Sequence, residues 1–284
     1  MLGDDSALAF DTLAREGILV RGGGGEHDEW TADGWREAAL FHHATRDYPF
    51  LAMDTPGAWD ADRERMRRYL DQRPPPSRAL DHDERPRVPL ARLPADGWDA
   101  HVAALSTARR RGVEGIGLLL DACCGVRREL DFGEQGTFFS KAVPSGGARH
   151  PTEAFVAAFN VDGLDAGVYH YAPVEHALAQ VAAGDTSDVW RHATFDLFER
   201  SRAAPLAAIA LGVLWERAMW RYRDDRSARA PFIDLGHVVH VVREVAAALG
   251  FEVRSYHKAR DGELAALCDV DPSRLTPLFV ATLS

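Results

Sequence analysis

The prediction of the fold starts from the stretch PSGGARHPTE, which runs from Pro144 to Glu153. Its proline fixes the backbone before the turn, and Gly146 and Gly147 allow the chain to approach a planar ligand closely. Two apolar segments follow, 154–161 (AFVAAFNV) and 168–172 (VYHYA), with glycine and aspartate between them. Short apolar runs around such turn residues are typical of paired strands. The sequence therefore predicts a glycine turn followed by a β-hairpin.

The segments on either side of the hairpin predict further helices and strands. Residues 116–124 form a mostly apolar run, which predicts a buried helix. Residues 235–249 place apolar side chains on one wide face and predict a long helix that ends at Gly250. Strands are predicted at 251–256 and 277–283. Because helices and strands are interspersed and a hairpin is present, the predicted fold class is α+β.

A proline-rich segment divides the chain. Residues 71–97 contain six prolines among charged and turn residues, a composition that favours an extended connector. Before it, a helical pattern at 6–15, a short strand and four glycines at 22–25 predict a small accessory module. We therefore expect an N-terminal accessory module with its linker over 1–95 and a second domain over 96–284.

Composition limits the possible classes of protein. The chain has 284 residues, 46% of them hydrophobic, which is enough for a substantial core. Its formal net charge of -10 repels phosphates, so a nucleic-acid partner is not expected. No apolar run reaches the roughly 20 residues that span a bilayer, and the acidic N-terminus is unlike a signal peptide. We therefore expect a cytoplasmic protein with neither a nucleic-acid nor a membrane partner.

Three cysteines are present, Cys123, Cys124 and Cys268, and their spacing forms no disulfide framework. No Cys-x-x-Cys pair or nearby histidine gives a zinc-binding spacing, so no metal site is predicted. We expect these cysteines to be small buried apolar side chains.

Two blocks of sequence carry a resemblance to a known family. The first follows the patterns P-S-G-G-x-x-H-P-x-E and G-L-x-x-G-x-Y-H-Y-x-P, matched at Pro144, Ser145, Gly146, Gly147, His150, Pro151, Glu153, Gly163, Leu164, Gly167, Tyr169, His170, Tyr171 and Pro173. The second comprises Trp220, Arg221 and Tyr222, then Asp234, Leu235, Gly236 and His237 at the long helix. Together they resemble the flavin-dependent dehydrogenases of the streptolysin S and microcin B17 pathways over roughly residues 100–284.

The resemblance implies a nitroreductase-like domain, with a central mixed or antiparallel sheet flanked by helices, that binds FMN as a homodimer. It implies oxidation of thiazolines and oxazolines in a precursor peptide to thiazoles and oxazoles, with a cyclodehydratase as a further partner. In such enzymes a base removes the Cα proton and the flavin accepts a hydride. The flavin-binding residues implied by the motif are Pro144, Ser145, Gly146, Gly147, His150 and Glu153.

Three parts of the implied site differ from the family pattern, and one of them is the C-terminal tail, which after Leu264 offers only Arg274 as a candidate phosphate ligand. The family's catalytic Lys-Tyr pair falls on Arg221 and Tyr222, and arginine stays protonated at neutral pH. Tyr222 would then carry the proton, with its phenolate favoured by Arg221. The phosphate-binding arginines of the family have their counterpart in STARRR, which contains Arg109, Arg110 and Arg111; guanidinium groups bind phosphate in bidentate fashion.

Two alternative functions remain open from the sequence. The first is reduction, in which the flavin delivers hydride from NAD(P)H to a dehydroamino acid or a small electrophile. The second is a non-catalytic, flavin-free partner that binds a peptide or a cyclodehydratase, with the N-terminal module recognising a leader peptide by strand addition.

Overall fold

The computed structural model describes residues 12–13, 26–46, 54–80, 84–94, 100, 103–104, 112–133, 136–195 and 204–284. The chain divides into two compact units, Met1–Arg65 with Arg223–Ser227 and Met66–Tyr222 with Ala228–Ser284. The boundary predicted near residue 95 stays a prediction.

The described residues form eight α-helices and nine strands. The helices are α1 (Glu26–Ala32), α2 (Arg36–Thr45), α3 (Ala58–Gln72), α4 (Val113–Cys124), α5 (Ser187–Ala193), α6 (Glu216–Met219), α7 (Arg229–Ala248) and α8 (Asp261–Leu267). The strands are β1 (Arg87–Pro89), β2 (Val126–Asp131), β3 (Thr137–Lys141), β4 (Thr152–Ala158), β5 (Gly167–Ala172), β6 (Ala177–Ala183), β7 (Ala207–Leu214), β8 (Val253–Tyr256) and β9 (Leu275–Leu283). Short 3₁₀ turns lie at Gly146–Ala148 and Asp225–Ala228.

The larger unit is built on a seven-stranded sheet in the order β1-β6-β5-β4-β7-β9-β8. Every neighbouring pair in this sheet is antiparallel. Strands β2 and β3 form a separate antiparallel pair that leads into the PSGG turn. Helices and an antiparallel sheet in one unit confirm the predicted α+β class.

The predicted hairpin is confirmed in β4 and β5, which pair Val156 with Tyr169. Strand β4 begins at Thr152, two residues before the predicted start, and all seven of its residues are buried. Its side chains alternate between two cores: Val156 packs with α4 and α7 on one face of the sheet, and Phe155 packs against Trp190 on the other. Burial of both faces explains why the sequence here is apolar without alternation.

Helices α4 and α7 pack together against one face of the sheet. The buried helix predicted at 116–124 is confirmed as α4. The long helix is confirmed as α7, but its predicted start was wrong, since it begins at Arg229 rather than 235. Pro231 lies in the first turn of this helix. Backbone N–H groups in the first turn have no intrahelical acceptor, so a proline there removes no helical hydrogen bond and is compatible with the helix. Gly250, with φ of 79°, follows the end of the helix as predicted.

Part of the predicted linker belongs to the sheet. Strand β1 pairs with β6 at the sheet edge, with Val88 opposite Leu178. Pro89 is tolerated there because an edge strand need not donate every N–H to a neighbour. Elsewhere in the larger unit, all three cysteines are free and buried, as predicted.

The smaller unit contains α1 and α2. The indole of Trp30 stacks on the imidazole of His42, with ring centroids 5.4 Å apart, and meets Trp35 edge-on at 6.2 Å. Arg226 donates to the carbonyl oxygen of Arg46 at 3.0 Å. Aromatic contacts thus fasten the two helices to each other.

None of the helices in the described part of the chain combines the length and the apolarity needed to cross a membrane.

Candidate functional site

The PSGG turn is held by a carboxylate from helix α7. Ser145 Oγ donates to Asp234 Oδ2 at 2.6 Å, and the Gly146 N–H donates to Asp234 Oδ1 at 3.2 Å. The His150 N–H donates in turn to Ser145 Oγ at 2.8 Å. Asp234 is only 7% exposed, so its charge is satisfied by these donors rather than by water. The structure therefore brings the two motif blocks of the sequence together at one place.

Gly147 lies against the side chain of Tyr222. Its φ of 60° and ψ of 27° are in the left-handed region, and a Cβ built on it would overlap the Tyr222 hydroxyl. Arg221 lies beside the same tyrosine, with its guanidinium carbon 5.2 Å from the ring centroid. The predicted catalytic pair and the predicted glycine turn therefore adjoin each other.

The turn is strained beyond its glycine. Ala148 and His150 also have positive φ values, 51° and 45°. Left-handed conformations cost a residue with a Cβ about 1 kcal/mol or more, and such strain concentrates at functional sites. The bonds to Asp234 and to neighbouring strands hold the chain in this shape.

His150 fastens the turn to strand β3 through its ring. Its Nε2 donates to the carbonyl oxygen of Phe139 at 2.9 Å. Burial, and next the charge of Lys141, lower the pKa of His150 to about 4. The imidazole is therefore neutral at neutral pH, with its Nε2 proton engaged by the backbone. The structure shows a positioning role, and direct flavin contact by His150 stays a prediction.

Glu153 is a buried anion behind the turn. Its carboxylate forms an ion pair with Arg217 and accepts a hydrogen bond from His170 Nε2 at 2.8 Å. Burial raises the pKa of Glu153, but Arg217 and then His170 outweigh burial and bring this pKa to about 2. Both carboxylate oxygens thus face protein groups, and a contact of this side chain with flavin stays a prediction.

A small cavity of about 10 Å³, room for about one water molecule, lies beside the turn. Side chains from α4, β3, β4, α7 and the turn line it: Cys123, Cys124, Lys141, Val143, Pro144, Ser145, His150, Pro151, Thr152, Asp234 and Val238. The hydroxyl of Thr152 is buried without a hydrogen-bond partner among the described residues. Burial lowers the pKa of Lys141 here. Two polar donors therefore border this space, which suits a ligand rich in acceptors.

Sequence reasoning missed Lys141 and Arg149. The chain has only two lysines among its 33 basic residues. The position of one of them just before the PSGG turn was therefore a weak indication that it is a site residue. Arg149 is 5% exposed, and its guanidinium carbon lies 5.0 Å from the Phe138 ring and 5.8 Å from the Trp220 ring. It also lies close to the Tyr222 side chain, with which its charge interacts. No local pattern marks such a residue, because its neighbours come from distant parts of the chain.

The predicted phosphate-binding residues Arg109, Arg110 and Arg111 lie outside the residues that the structure describes.

Comparison with known proteins supports the resemblance. No protein-family model matches the chain. It is 34% identical over 160 residues to the trifolitoxin-processing protein TfxB of Rhizobium leguminosarum bv. trifolii, covering 55% of this chain and 43% of TfxB. It is 30% identical over 144 residues to the microcin B17-processing protein McbC of Escherichia coli, covering 49% of this chain and 52% of McbC. The chain thus spans about half the length of these curated relatives.

Solved structures of other proteins have folds similar to that of this chain. A predicted nitroreductase from Anabaena variabilis superposes with a TM-score of 0.61 at 18% identity, over 79% of this chain and 45% of the other. A chain of the E. coli microcin synthetase McbBCD complex, solved with truncated pro-MccB17 bound, superposes with a TM-score of 0.51 at 25% identity. That match covers 60% of this chain and 62% of the other. The fold and these sequence similarities confirm the predicted resemblance: the chain has a nitroreductase-like fold and is similar in sequence to the microcin B17-processing protein.

Proposed function

We propose that the protein is an FMN-dependent oxidoreductase in the maturation of a ribosomally made peptide, which oxidises thiazoline or oxazoline rings to thiazoles or oxazoles. The observation that carries this proposal is the contact between Gly147 and the Tyr222 hydroxyl in a turn held by Asp234. That contact joins the two motif blocks into one site. Similarity to two peptide-processing proteins supports a peptide as the substrate.

The residues around the turn fit a flavin. A flavin ring presents carbonyl oxygens and ring nitrogens, which are acceptors, and the cavity is bordered by the Lys141 amine and the unpaired Thr152 hydroxyl. The exposed backbone of Gly146 leaves room for a planar ring. The cavity itself has room for only about one water molecule, so we infer that the exposed backbone at Gly146 would hold the ring, and bound FMN would supply the two-electron acceptor.

Tyr222 is the proposed base. Azoline oxidation requires removal of the Cα proton, and the phenolate oxygen of Tyr222 would receive it. Two guanidinium groups lie next to Tyr222, those of Arg221 and Arg149. Arg221 itself stays protonated, so we assign it an electrostatic role.

The proposed partners are a precursor peptide, a cyclodehydratase that forms the azolines, and a second copy of the chain. The microcin synthetase complex with its bound precursor supports the first two. A homodimer is supported by large apolar side chains that the single chain leaves exposed, Met219, Phe232 and Ile233, at 57%, 51% and 59%. The proposed location is the cytoplasm.

The decisive experiment starts from the absorption spectrum of the purified protein, with the cofactor identified after denaturation. We expect the two bands of oxidised flavin and release of FMN, followed by azole formation when an azoline peptide is added under oxygen. A protein that stays colourless after FMN is added would contradict the proposal and favour a non-catalytic binding partner.

Reduction is the second candidate, favoured by Arg221 in place of a lysine base. Bleaching of bound flavin by NADPH, with no azole formed from an azoline peptide, would favour a reductase instead.

A further inference from the structure

Two arginines, Arg78 and Arg149, lie near the ring of Phe138, and a third, Arg217, binds the backbone beside each of them. Arg217 is fully buried and forms an ion pair with Glu153. Its Nε donates to the carbonyl oxygen of Ser77 at 2.9 Å, and its Nη1 donates to that of His150 at 3.0 Å. These two carbonyls directly neighbour Arg78 and Arg149 in sequence. Arg217 therefore holds together the two backbone segments that carry the other two arginines.

Arg78 and Arg149 both lie against Phe138. Their guanidinium carbons are 4.1 and 5.0 Å from the centroid of that ring. The Nη1 and Nη2 atoms of Arg78 and the Nε atom of Arg149 are buried, and within the described part of the chain they have no hydrogen-bond partner. Neither residue forms an ion pair with a carboxylate in that part of the chain. Tyr222 also lies close to Arg149, but it offers no carboxylate.

Such an arrangement is costly without a counter-charge. A buried ion that lacks a partner destabilises a protein by several kcal/mol. Burial, followed by the charge of Arg217, lowers the pKa of Arg78. Burial, followed by the charge of Arg78, lowers the pKa of Arg149 to about 10. Both groups remain charged at neutral pH, so two neighbouring cations stay uncompensated by the described residues.

We propose that Arg78 and Arg149 form a binding site for an oxyanion, a carboxylate or a phosphate group, next to Tyr222. Guanidinium groups recognise both anions through paired N–H donors in one plane, and the two groups here both lie close to the Phe138 ring. Arg78 is partly exposed as a residue, so the site borders the surface. The anion belongs to a flavin phosphate or to an acidic group of the peptide. The proposal does not depend on the redox reaction.

The test measures the unfolding temperature of the full chain against inorganic phosphate, at constant ionic strength set with chloride. We expect a saturable rise for the wild type. In Arg78→Gln and Arg149→Gln the apparent dissociation constant should weaken by about tenfold or more, because each removes charge-assisted hydrogen bonds. Arg254→Gln is the control and should keep the wild-type rise, since Arg254 pairs with Glu252 at the surface.

A second readout separates binding from a general loss of stability. In buffer free of phosphate and carboxylate, Arg78→Gln should unfold at or above the wild-type temperature, because it removes an uncompensated buried charge. A variant that merely damages the fold would unfold at a lower temperature. Arg78→Gln therefore decides the matter even if Arg149→Gln does not fold.

The two sources of the anion are distinguished by comparing FMN with riboflavin. Loss of the preference for FMN in Arg78→Gln assigns the site to the flavin phosphate. An unchanged preference, with saturable stabilisation of the wild type by acetate, assigns it to a carboxylate. The proposal is overturned if neither phosphate nor acetate gives a saturable effect on the wild type, or if Arg78→Gln keeps that effect unchanged.

Discussion

At the scale of single residues, the contact between Gly147 and Tyr222 sets the chemistry expected of the site. We predict that Tyr222→Phe lowers turnover of an azoline peptide by about 100-fold or more, the usual contribution of a positioned base. Flavin binding should persist, because the phenylalanine ring still packs on Gly147. Single-turnover kinetics and the flavin absorbance measure the two effects.

The matched control for this variant is Tyr256→Phe, which removes the hydroxyl of a buried tyrosine that faces Thr282 on β9. It should leave turnover near the wild-type value. Full activity in Tyr222→Phe would remove Tyr222 from the role of base and leave the proton acceptor to another group.

Because His150 has a lowered pKa, we predict that the stability of the protein depends on pH. Its pKa is lowered to about 4 by burial first and the Lys141 charge next, whereas an unfolded histidine titrates near about 6.5. The unfolded state therefore binds the proton more strongly, so stability is fully present above about pH 6.5 and is lost as pH falls toward 4. Between pH 7 and pH 5 we expect the free energy of unfolding to fall by up to about 2 kcal/mol.

Urea denaturation at a series of pH values tests this expectation. His150→Asn should flatten the pH dependence above pH 5, and asparagine tolerates the positive φ at this position. His237→Asn, on the exposed side of α7, is the control and should retain the wild-type slope. An unchanged slope in His150→Asn would assign the acid sensitivity to other groups.

At the scale of elements, Arg217 connects helix α6 to strand β4 and to the chain at Ser77. We predict that Arg217→Met destabilises the protein by about 3–5 kcal/mol, because it leaves the buried Glu153 carboxylate without its cation. The double variant Arg217→Met/Glu153→Gln should recover about 1–3 kcal/mol of this loss. The free energy of unfolding in urea measures both.

Arg274→Met is the control for this pair, since Arg274 forms an exposed ion pair with Glu216 at the start of the same helix at 2.7 Å. Exposed pairs contribute about 0–1 kcal/mol, so its effect should be small. Equal effects of Arg217→Met and Arg274→Met would show that the buried network does not stabilise the fold.

At the scale of the whole molecule, the exposed apolar residues on α7 predict self-association. We expect light scattering to give twice the chain mass of 31.3 kDa for the wild type. Ile233→Glu, at a position 59% exposed, should give a single-chain mass and weaker flavin binding, because it places a charge in the proposed interface. Val189→Glu, at a position 47% exposed on α5, is the control. A wild-type protein that remains a single chain at all concentrations would contradict the homodimer.

Local sequence determined much of the secondary structure of this protein. The glycine turn, the β4–β5 hairpin and helix α4 follow from turn residues and apolar runs that a short window contains. The motif blocks also predict Gly147 and Tyr222 as site residues, and the two are in contact in the structure. Such features depend on neighbours in the chain, and neighbours are visible in a sequence.

Only the tertiary structure decided which distant groups meet. The pairing of Glu153 with Arg217, the placement of β1 at the sheet edge and the approach of Arg78 and Arg149 to Phe138 each join segments far apart in sequence. Burial makes these contacts important, because charges and hydroxyls removed from water must find partners inside the protein. The packing of the sheet and helices determines those partners, and no local pattern of residues predicts them.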